Sequence, residues 1–326
     1  MKLLILGGTK FVGRHLTQSA LDAGHEVSLF NRGQSNPELF PDIEKLVGDR
    51  DGGLAALEGR RWDAVIDVNG YVPRVVRDSA ELLKGHTDYY LFVSSMSVYA
   101  DLSQLLDEES PVIELDDPSV EEITAETYGG LKVLCERVVQ ETYGEKACIV
   151  RPSYVIGPHD HSDRFPYWVW RASRGGELIA PGGPDECVAA IDARDMGAWM
   201  VAFAERQQSG VYNGLDAPFR FGELLEMTAQ IAGVEIDAQW VSVAFAEAQD
   251  LFGPKLPLWA PGEEYIGFSQ SGNHKAVASG LQCRPLKETV ADTLDWIRER
   301  EAAGHKWQTG IPADEEAELI AAWKTS

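Results

Sequence analysis

The order of hydrophobic and polar positions predicts alternating strands and helices in the first half of the chain. Continuous apolar runs predict strands at 2–6, 26–30, 45–48, 64–68, 89–95 and 147–151. Apolar residues at helical spacing predict intervening helices at 11–23, 75–83 and 126–143. This alternation predicts an α/β fold, with a doubly wound parallel sheet covered by helices on both faces.

The pattern loosens after Pro152, where glycine and proline become frequent. The regular patterns that remain predict helices at 222–232 and 286–300. We therefore expect a larger domain over 1–155, completed by part of 185–215. The residues 156–326 are expected to form mainly a smaller, loop-rich substrate-binding region on the carboxyl edge of the sheet.

The charge balance narrows the range of partners. The 326 residues include 52 Asp and Glu against 29 Lys and Arg, so the formal net charge is −23. This charge would repel nucleic acid and anionic membranes, and we expect neither as a partner. A small anionic ligand is still compatible, because a local group of backbone N–H donors can outweigh the overall field.

The cysteine pattern, the start of the chain and the lengths of its apolar runs lead us to expect a cytoplasmic protein. Four widely spaced cysteines show no CxxC pair, which argues against both a disulfide framework and a zinc site. The apolar start of the chain is interrupted by glycines too early for a signal peptide. No run approaches the roughly 18 apolar residues that a membrane span needs.

The segment LGGTKFVG, residues 6–13, stands where the first strand becomes a helix. In that context a glycine loop favours a Rossmann-type domain, which holds a dinucleotide pyrophosphate at the helix N-terminus. The central glycine of the usual pattern is replaced by Lys10, whose ammonium either reaches a phosphate or projects into solvent. The predicted cofactor-binding residues of this loop are Gly7, Thr9, Lys10, Phe11, Val12 and Gly13.

The ends of the second and third strands bear on the identity of the cofactor. An acidic residue after the second strand would favour NAD, but Asn31 and Arg32 occupy this place. Arg32 therefore favours NADP over NAD, with an ordinary surface arginine as the alternative. Asp49 and Arg50 close the third strand, where Asp49 is either a contact to adenine or a turn residue.

The candidate catalytic residues follow in a fixed order along the chain. Ser94 and Ser95 end the strongest predicted strand, and Tyr128 and Lys132 lie one helical turn apart on a later helix. RPSYVIGP, residues 151–158, comes next. With the glycine loop, this order resembles the extended branch of the short-chain dehydrogenase/reductase superfamily, the nucleotide-sugar epimerase/dehydratase-like proteins. The GGTKFVG form is similar to an atypical subgroup with a basic residue at the middle position.

The resemblance implies a role for each of these residues. Tyr128 would exchange a proton with a substrate hydroxyl or carbonyl oxygen, and Ser95 would hydrogen-bond that oxygen. Lys132 would hold the nicotinamide ribose and lower the pKa of Tyr128, which must fall by about three units from its usual value near 10 to act as a base at neutral pH. Ser94 and Pro152 would lie beside the cofactor.

Departures from the family pattern limit the reaction. Sugar 4,6-dehydratases carry an acidic pair where this chain has Met96 and Ser97, and the epimerase-reductases that make fucose precursors carry Cys at the position of Ser97. Dehydratase chemistry is therefore disfavoured, which leaves alcohol/ketone oxidoreduction or 4-epimerisation. Tyr154 replaces the Asn that usually contacts the diphosphate of a nucleotide-sugar, so a different substrate or a different binding mode is expected.

Several residues after Pro158 are weaker candidates for the substrate site. The segment 159–164 contains two His and two Asp, which form a polar pocket loop rather than a metal site, since no distant ligands are evident. Arginines in this region could grip an anionic substrate, and a nearby aromatic cluster with helical spacing is expected mainly to pack in a core. The predicted substrate residues are Ser97, Tyr154, Arg164 and Trp168, with Arg171, Arg174 and Arg194 as further anion-binding candidates.

Three function classes compete. The first is an NAD(P)-dependent oxidoreductase or epimerase acting on a sugar-like or small carbonyl compound. The second is a non-catalytic NAD(P)-sensing regulator, which the intact Ser95, Tyr128 and Lys132 disfavour. The third is an RNA-associated protein of the atypical subgroup, which the acidic charge disfavours. A homodimer through 75–83 and 126–143 is expected by analogy only.

Overall fold

The computed structural model describes residues 1–326 and is built around one parallel sheet. Strands are numbered here in chain order over the whole chain. The sheet contains β1 (Lys2–Leu6), β2 (Glu26–Asn31), β3 (Glu44–Val47), β4 (Ala64–Asp67), β5 (Tyr90–Val93), β6 (Ala147–Pro152) and β11 (Gly210–Gly214). They pair in the order β3-β2-β1-β4-β5-β6-β11, and every neighbouring pair is parallel. This is the Rossmann strand order extended by one strand, so the predicted fold class is confirmed.

Four helices cover the two faces of the sheet. One face carries α1 (Phe11–Asp22) and α5 (Ala193–Arg206), which contact each other. The other face carries α2 (Pro73–Leu83) and α3 (Ala125–Tyr143), which also form a contacting pair. The strands between these layers read as continuous apolar runs because both of their faces are buried.

A second region is built from short sheets and helices around its own apolar core. Its strands are β7 (Tyr154–Ile156), β8 (Gly176–Pro181), β9 (Cys187–Val188), β10 (Ala190–Asp192), β12 (Phe219–Arg220) and β13 (Ile236–Val241). They form three separate pairs: β7 with β10, β8 with β13, and β9 with β12. The helices are α4 (Arg164–Ser173), α6 (Phe221–Ala232), α7 (Val243–Ala248), α8 (Ile266–Gln270), α9 (His274–Ala278), α10 (Leu286–Ala302) and α11 (Ala313–Trp323).

The predicted elements of the first half end within two residues of the observed ones, and so do the helices predicted at 222–232 and 286–300. The short strands of the second region have no clear signal in the sequence, because two- to six-residue strands between glycines and prolines leave too few positions for a period. No helix has the length and apolar character required to span a membrane.

Candidate active site

A cavity of about 580 Å³ opens at the carboxyl edge of the sheet, beside the ends of β1 and β4. The strand order changes direction between these two strands, and doubly wound sheets bind ligands at such a point. Segments that follow β1, β2, β3 and β4 form its walls. Ten of the predicted cofactor residues line it: Gly7, Thr9, Lys10, Phe11, Val12, Gly13, Asn31, Arg32, Asp49 and Arg50.

The glycines of the loop after β1 are required by its geometry. Gly7 has φ +117° and Gly8 has φ +96°, values that residues with a side chain rarely adopt. A Cβ at Gly13 would lie 2.7 Å from the backbone nitrogen of Gly8, so α1 can approach the loop only with glycine there. Lys10 is different, since its φ of −129° and ψ of 131° are extended values that any residue adopts. Lysine therefore replaces the usual central glycine without backbone strain.

The backbone N–H groups of residues 8–12 have no hydrogen-bond acceptor within the protein. The flanking N–H groups of Gly7 and Gly13 are paired, with the carbonyls of Phe30 and Lys10. These open donors face the cavity at the positive end of the α1 dipole, which is where a pyrophosphate is stabilised. The loop thus fits the phosphates of a dinucleotide.

Asn31 connects the end of β2 with the glycine loop through side-chain hydrogen bonds. Its side-chain amide donates to the carbonyl of Gly7 at 2.8 Å, and its side-chain oxygen accepts from the N–H of Gly33 at 2.9 Å. Asn31 therefore ties the glycine loop to β2. Arg32, by contrast, is exposed at the cavity and forms no ion pair or hydrogen bond with the protein. It is a free cation at this end of the cavity.

Arg50, predicted as a cofactor residue, lines the cavity, but its guanidinium is engaged within the protein. Its guanidinium forms two hydrogen bonds with the buried carboxylate of Asp67, one of them 2.6 Å long, and donates also to the Ser79 hydroxyl. Only 8% of Arg50 is exposed and Asp67 is fully buried. The side chain forms one edge of the cavity, but its donors are used to join the β3 end to β4 and α2. Asp49 beside it is exposed and lines the cavity.

Tyr128 lies in the first turn of α3, which begins with a capping box at Thr124 and Thr127. Two glycines follow Tyr128, and both are needed for close packing. A Cβ at Gly129 would overlap the carbonyl oxygen of Ser97. The first turn of α3 therefore lies directly on the segment after β5, which carries Ser95 and Ser97.

Ser95 and Tyr128 are brought together by this packing. The Ser95 hydroxyl donates to the Ser97 hydroxyl at 3.1 Å and accepts from the Ser97 N–H at 3.1 Å. Burial raises the pKa of Tyr128, while the nearby Ser95 hydroxyl and the charge of Arg164 act in the opposite direction. The Tyr128 phenol is half-buried and is neutral at physiological pH in the protein alone.

Lys132 lies on the same helix, and its ammonium is buried behind the cavity. Its Nζ donates to the carbonyls of Gly70 at 2.8 Å and Val93 at 2.6 Å, and lies 4.4 Å from the centre of the Phe92 ring. Burial lowers its pKa to about 8. The predicted pair of Tyr128 and Lys132 is therefore on one helix, but neither side chain lines the cavity.

Tyr71 was missed in the sequence, although it connects the cavity with the predicted catalytic residues. It is 41% exposed and lines the cavity. The centre of its ring lies 5.1 Å from Nζ of Lys132 and 6.4 Å from the centre of the Tyr128 ring. The available signal was its place directly after β4, since loops after the strands of such sheets carry ligand contacts.

Two of the predicted substrate residues, Tyr154 and Arg164, contact each other. The guanidinium of Arg164 lies 5.2 Å from the centre of the Tyr154 ring, and Phe268 packs edge-on against the same ring at 5.0 Å. Arg164 also donates from Nε to the Ser162 hydroxyl at 3.1 Å but has no carboxylate partner. The charge of Arg164 acts to lower the pKa of both Tyr128 and Tyr154, against the larger opposite effect of burial.

Other predicted substrate residues lie elsewhere. Trp168 is fully buried in the core of the second region, and its indole N–H donates to the carbonyl of Pro257 at 2.7 Å, so it cannot line a pocket. Three further arginines are engaged by carboxylates and are not free to grip a substrate. The pairs are Arg171 with Glu316, Arg174 with Glu301, and Arg194 with Asp192.

Ser94 and Pro152 lie at the ends of the adjacent strands β5 and β6, and both are buried. The N–H of Ser94 donates to the carbonyl of Val150 at 2.7 Å. Neither residue lines the cavity, so direct contact with a ligand there would need a change in conformation. The structure contains no group of three or more His, Cys, Asp or Glu side chains placed to hold a metal ion.

A doubly wound sheet with a glycine loop and open N–H donors at its switch point defines a dinucleotide-binding protein. The chain belongs to the NAD-dependent epimerase/dehydratase family, whose model matches residues 3–214. Among characterised proteins it is 28% identical over 198 residues to the chloroplast stem-loop binding protein of 41 kDa b from Arabidopsis thaliana, a match covering 55% of this chain and 49% of the relative. The chain thus spans about half the length of this relative.

Solved structures share the fold at low sequence identity. A provisionally named epimerase from Burkholderia cenocepacia J2315 has a TM-score of 0.70 at 22% identity, covering 91% of this chain and 98% of that one. UDP-glucuronic acid 4-epimerase from Bacillus cereus, in complex with NAD, has a TM-score of 0.68 at 18% identity, covering 92% of this chain and 99% of that one. At these identities the likeness concerns the fold alone.

Proposed function

We propose that the protein is an NAD(P)-dependent oxidoreductase or 4-epimerase acting on a sugar-like or small carbonyl substrate. The observation that carries this proposal is the packing of Tyr128 beside Ser95, next to a cavity whose loop leaves five N–H groups open for a pyrophosphate. Family membership supports a nicotinamide cofactor. A purely regulatory NAD(P)-binding role would not require Ser95, Tyr128 and Lys132 to be intact.

The chain's own residues would manage the proton and the orientation of the substrate. When bound, the nicotinamide accepts or supplies a hydride. Tyr128 as the phenolate would take a proton from the substrate hydroxyl, or as the phenol would return one to the carbonyl oxygen, and the Ser95 hydroxyl would donate to the same oxygen. Burial raises the pKa of Tyr128, and the Ser95 hydroxyl and the charge of Arg164 oppose this effect by favouring the phenolate.

The residues after Ser95 support hydride chemistry without dehydration. Met96 is fully buried and Ser97 has only a hydroxyl, so neither can remove and return a proton at carbon. We therefore place simple oxidoreduction or 4-epimerisation ahead of 4,6-dehydration. The pair of Tyr154 and Arg164 occupies the substrate side and favours a substrate with an anionic or ring-shaped part.

The proposed cofactor is NADP in preference to NAD. Arg32 supports this preference because it is exposed at the cavity and unpaired, while no acidic residue follows β2 to hold a ribose 2′-hydroxyl. NAD, which is bound by the solved epimerase from B. cereus, is the alternative.

Cofactor turnover tests the proposed activity. The purified protein is incubated with NAD(P)⁺ or NAD(P)H and a panel of sugars, nucleotide-sugars and small carbonyls, and absorbance at the nicotinamide band is followed together with product epimers. Tyr128→Phe should lower kcat by about 10²- to 10⁴-fold while cofactor affinity and thermal unfolding stay unchanged. Tyr212→Phe is the matched control, because the Tyr212 phenol binds Gln208 and Ser209 away from the cavity. Equal turnover by Tyr128→Phe and wild type would refute the catalytic role.

RNA binding is the second candidate, because the Arabidopsis relative is named as a stem-loop binding protein. We propose that this chain has no nucleic-acid partner, since its net charge is −23 and 14 of its 18 arginines form ion pairs. A gel-shift titration with a stem-loop RNA tests this point. A shift at micromolar protein in roughly 150 mM salt would favour the RNA role.

The predicted homodimer through 75–83 and 126–143 has little support from the surface of these helices. Most of their exposed residues are charged, several form ion pairs such as Arg77 with Glu141, and no large exposed hydrophobic residue lies on either helix. Light scattering after size-exclusion chromatography tests for a dimer. Charge reversal at Arg77 would break a dimer built on these helices and leave any other dimer intact.

A further inference from the structure

We propose that Lys10 and His161 form a phosphate clamp over the glycine loop and hold the cofactor pyrophosphate from both regions of the chain. This inference rests on the cofactor site proposed above, and it adds a residue from the second region to that site. The backbone N–H donors of the glycine loop all belong to the first region. Only a side chain such as that of His161 can therefore contact the pyrophosphate from the second region.

The two side chains meet in one cavity from distant parts of the sequence. Lys10 directly precedes α1, whereas His161 lies in the loop between β7 and α4, and both line the 580 Å³ cavity. Burial, and after it the charge of Lys10, lower the pKa of the His161 imidazole. Neither side chain forms a hydrogen bond or an ion pair within the protein, although acidic residues are abundant in this chain.

The loop that carries His161 is anchored on α1. His15 Nε2 lies 2.8 Å from the carbonyl oxygen of Pro158, at the start of the loop. The Phe11 ring then packs edge-on against both His15 and His161, each at 6.3 Å between ring centres. Since Phe11 is itself part of the glycine loop, the exposed His161 side chain lies beside that loop.

The charged groups around His161 leave it available to an anion. Lys10 faces it from the start of α1, and Asp160, Asp163 and Arg164 face it from its own loop. Asp160 accepts hydrogen bonds from the N–H of Ser162 at 2.9 Å and its hydroxyl at 2.6 Å, and is only 1% exposed. Asp163 is fully buried, forms an ion pair with Arg300 at 2.8 Å and accepts from the N–H of Gln308 at 3.0 Å. Both carboxylates therefore turn into the protein.

The chemistry of the pair suits a pyrophosphate. Two phosphates in a diester linkage carry two negative charges, and the open N–H groups of residues 8–12 are neutral dipoles. An ammonium and an imidazolium would supply the two matching positive charges and charge-assisted hydrogen bonds. Burial, and after it the charge of Lys10, lower the pKa of His161 in the protein alone, and a bound pyrophosphate would oppose both effects, so affinity should rise as pH falls.

Isothermal titration calorimetry with ADP-ribose and NAD⁺ tests the clamp, because the diester pyrophosphate of these ligands does not titrate between about pH 5.5 and 8. Lys10→Ala and His161→Ala should each raise Kd by about fivefold to tenfold at about pH 6. The His161→Ala effect should fade at about pH 8, and adenosine affinity should not change in either variant. Lys84→Ala and His274→Ala, on exposed residues outside the cavity, are the matched controls.

The possible outcomes separate this proposal from the proposed catalysis. An equal loss for adenosine and ADP-ribose, or a His161→Ala effect independent of pH, overturns the clamp. If wild type binds ADP-ribose as described but converts no substrate, the clamp stands and the catalytic proposal fails. If wild type binds neither ADP-ribose nor NAD⁺, the clamp and the cofactor site are both refuted. Any pH slope that persists in His161→Ala reports the neighbouring His15 and His159.

Discussion

Gly129 packs directly on Ser97, so closely that a Cβ on Gly129 would overlap the Ser97 carbonyl oxygen. This contact sets how near the first turn of α3 can come to the end of β5. The distance between Tyr128 and Ser95 depends on it, because each residue is a close chain neighbour of one side of the contact. The YGG sequence is therefore a packing requirement of the candidate active site.

Gly129→Ala should increase the distance between Tyr128 and Ser95. We expect a loss of about 1–3 kcal/mol in the free energy of unfolding, as for other overpacked positions. We also expect kcat to fall by about tenfold or more, because Tyr128 would move away from Ser95. Urea denaturation and turnover measure the two effects. Gly183→Ala is the control, since Gly183 has open space around it and no positive φ; similar losses in both variants would contradict the packing argument.

The buried ion pair of Arg50 and Asp67 should be costly to break on one side. Asp67→Leu leaves a guanidinium without its partner, and we expect a loss of about 3–5 kcal/mol in the free energy of unfolding. The double variant with Arg50→Met should lose clearly less than the sum of the single changes. Glu44→Gln breaks the exposed Arg60–Glu44 pair and should cost less than about 1 kcal/mol. Additive losses at Arg50 and Asp67 would rule out the pairing.

Lys132 should give the cofactor-free protein a stability that rises with alkaline pH. Its pKa in the folded protein is about 8, below the value of 10.5 for an unperturbed lysine. Between these values the unfolded chain binds one proton more than the folded chain, so the free energy of unfolding increases with pH by up to about 1.4 kcal/mol per unit. Below pH 8 the charge is present in both states and the contribution is constant.

Lys132→Met removes this ammonium, so comparing the variant with wild type isolates its contribution to stability. The difference in unfolding free energy between wild type and variant should increase from about pH 8 to about pH 10, as followed by urea denaturation at each pH. The exposed Lys84→Met is the control and should follow wild type. A parallel dependence of wild type and Lys132→Met on pH would show that the ammonium is not held in the way described.

Arg32 should control the choice between the two nicotinamide cofactors. Arg32→Asp is expected to lower the ratio of NADP to NAD affinity by at least about tenfold, because it replaces a cation with an acceptor for the ribose 2′-hydroxyl. Competition titrations with 2′-phosphorylated and unphosphorylated adenosine ligands measure this ratio. Arg206→Asp reverses an unpaired arginine that binds the Ser279 carbonyl instead, and it should leave the ratio unchanged.

Arg164 should shift the pH profile of the reaction through Tyr128. The positive charge of Arg164 lowers the pKa of Tyr128, so Arg164→Met should raise that pKa. In the direction that needs Tyr128 as a base, the rising limb of kcat/KM should then move to higher pH. Arg174→Met, at an arginine paired with Glu301, provides the comparison and should leave the limb in place. A change in KM without movement of the limb would mean that Arg164 contacts only the substrate.

Local sequence signals determined the first region of the protein. Continuous apolar runs mark strands buried on both faces. Gly7 is required by its own positive φ, and Gly13 by its contact with the nearby Gly8, so both signals are local in the chain. The sequence order of strands and helices therefore predicted the Rossmann fold and most of the cavity wall. The sequence also indicated Ser95, Tyr128 and Lys132 as candidates, because Ser95 ends a strand and the other two lie one turn apart on one helix face.

Only the tertiary structure decided which polar side chains are free. Arg50 follows a strand as a cofactor residue would, yet it is committed to Asp67, and Trp168 is buried in a core although it lies on the same helix as Arg164. Tyr71 and His161 reach the same cavity from distant segments of the chain, which no local pattern reveals. Ion pairing and burial depend on contacts between distant segments. The sequence by itself determined the fold and the chemistry of the glycine loop. The tertiary packing decided which charged side chains are used in contacts within the protein and which are free to bind a ligand.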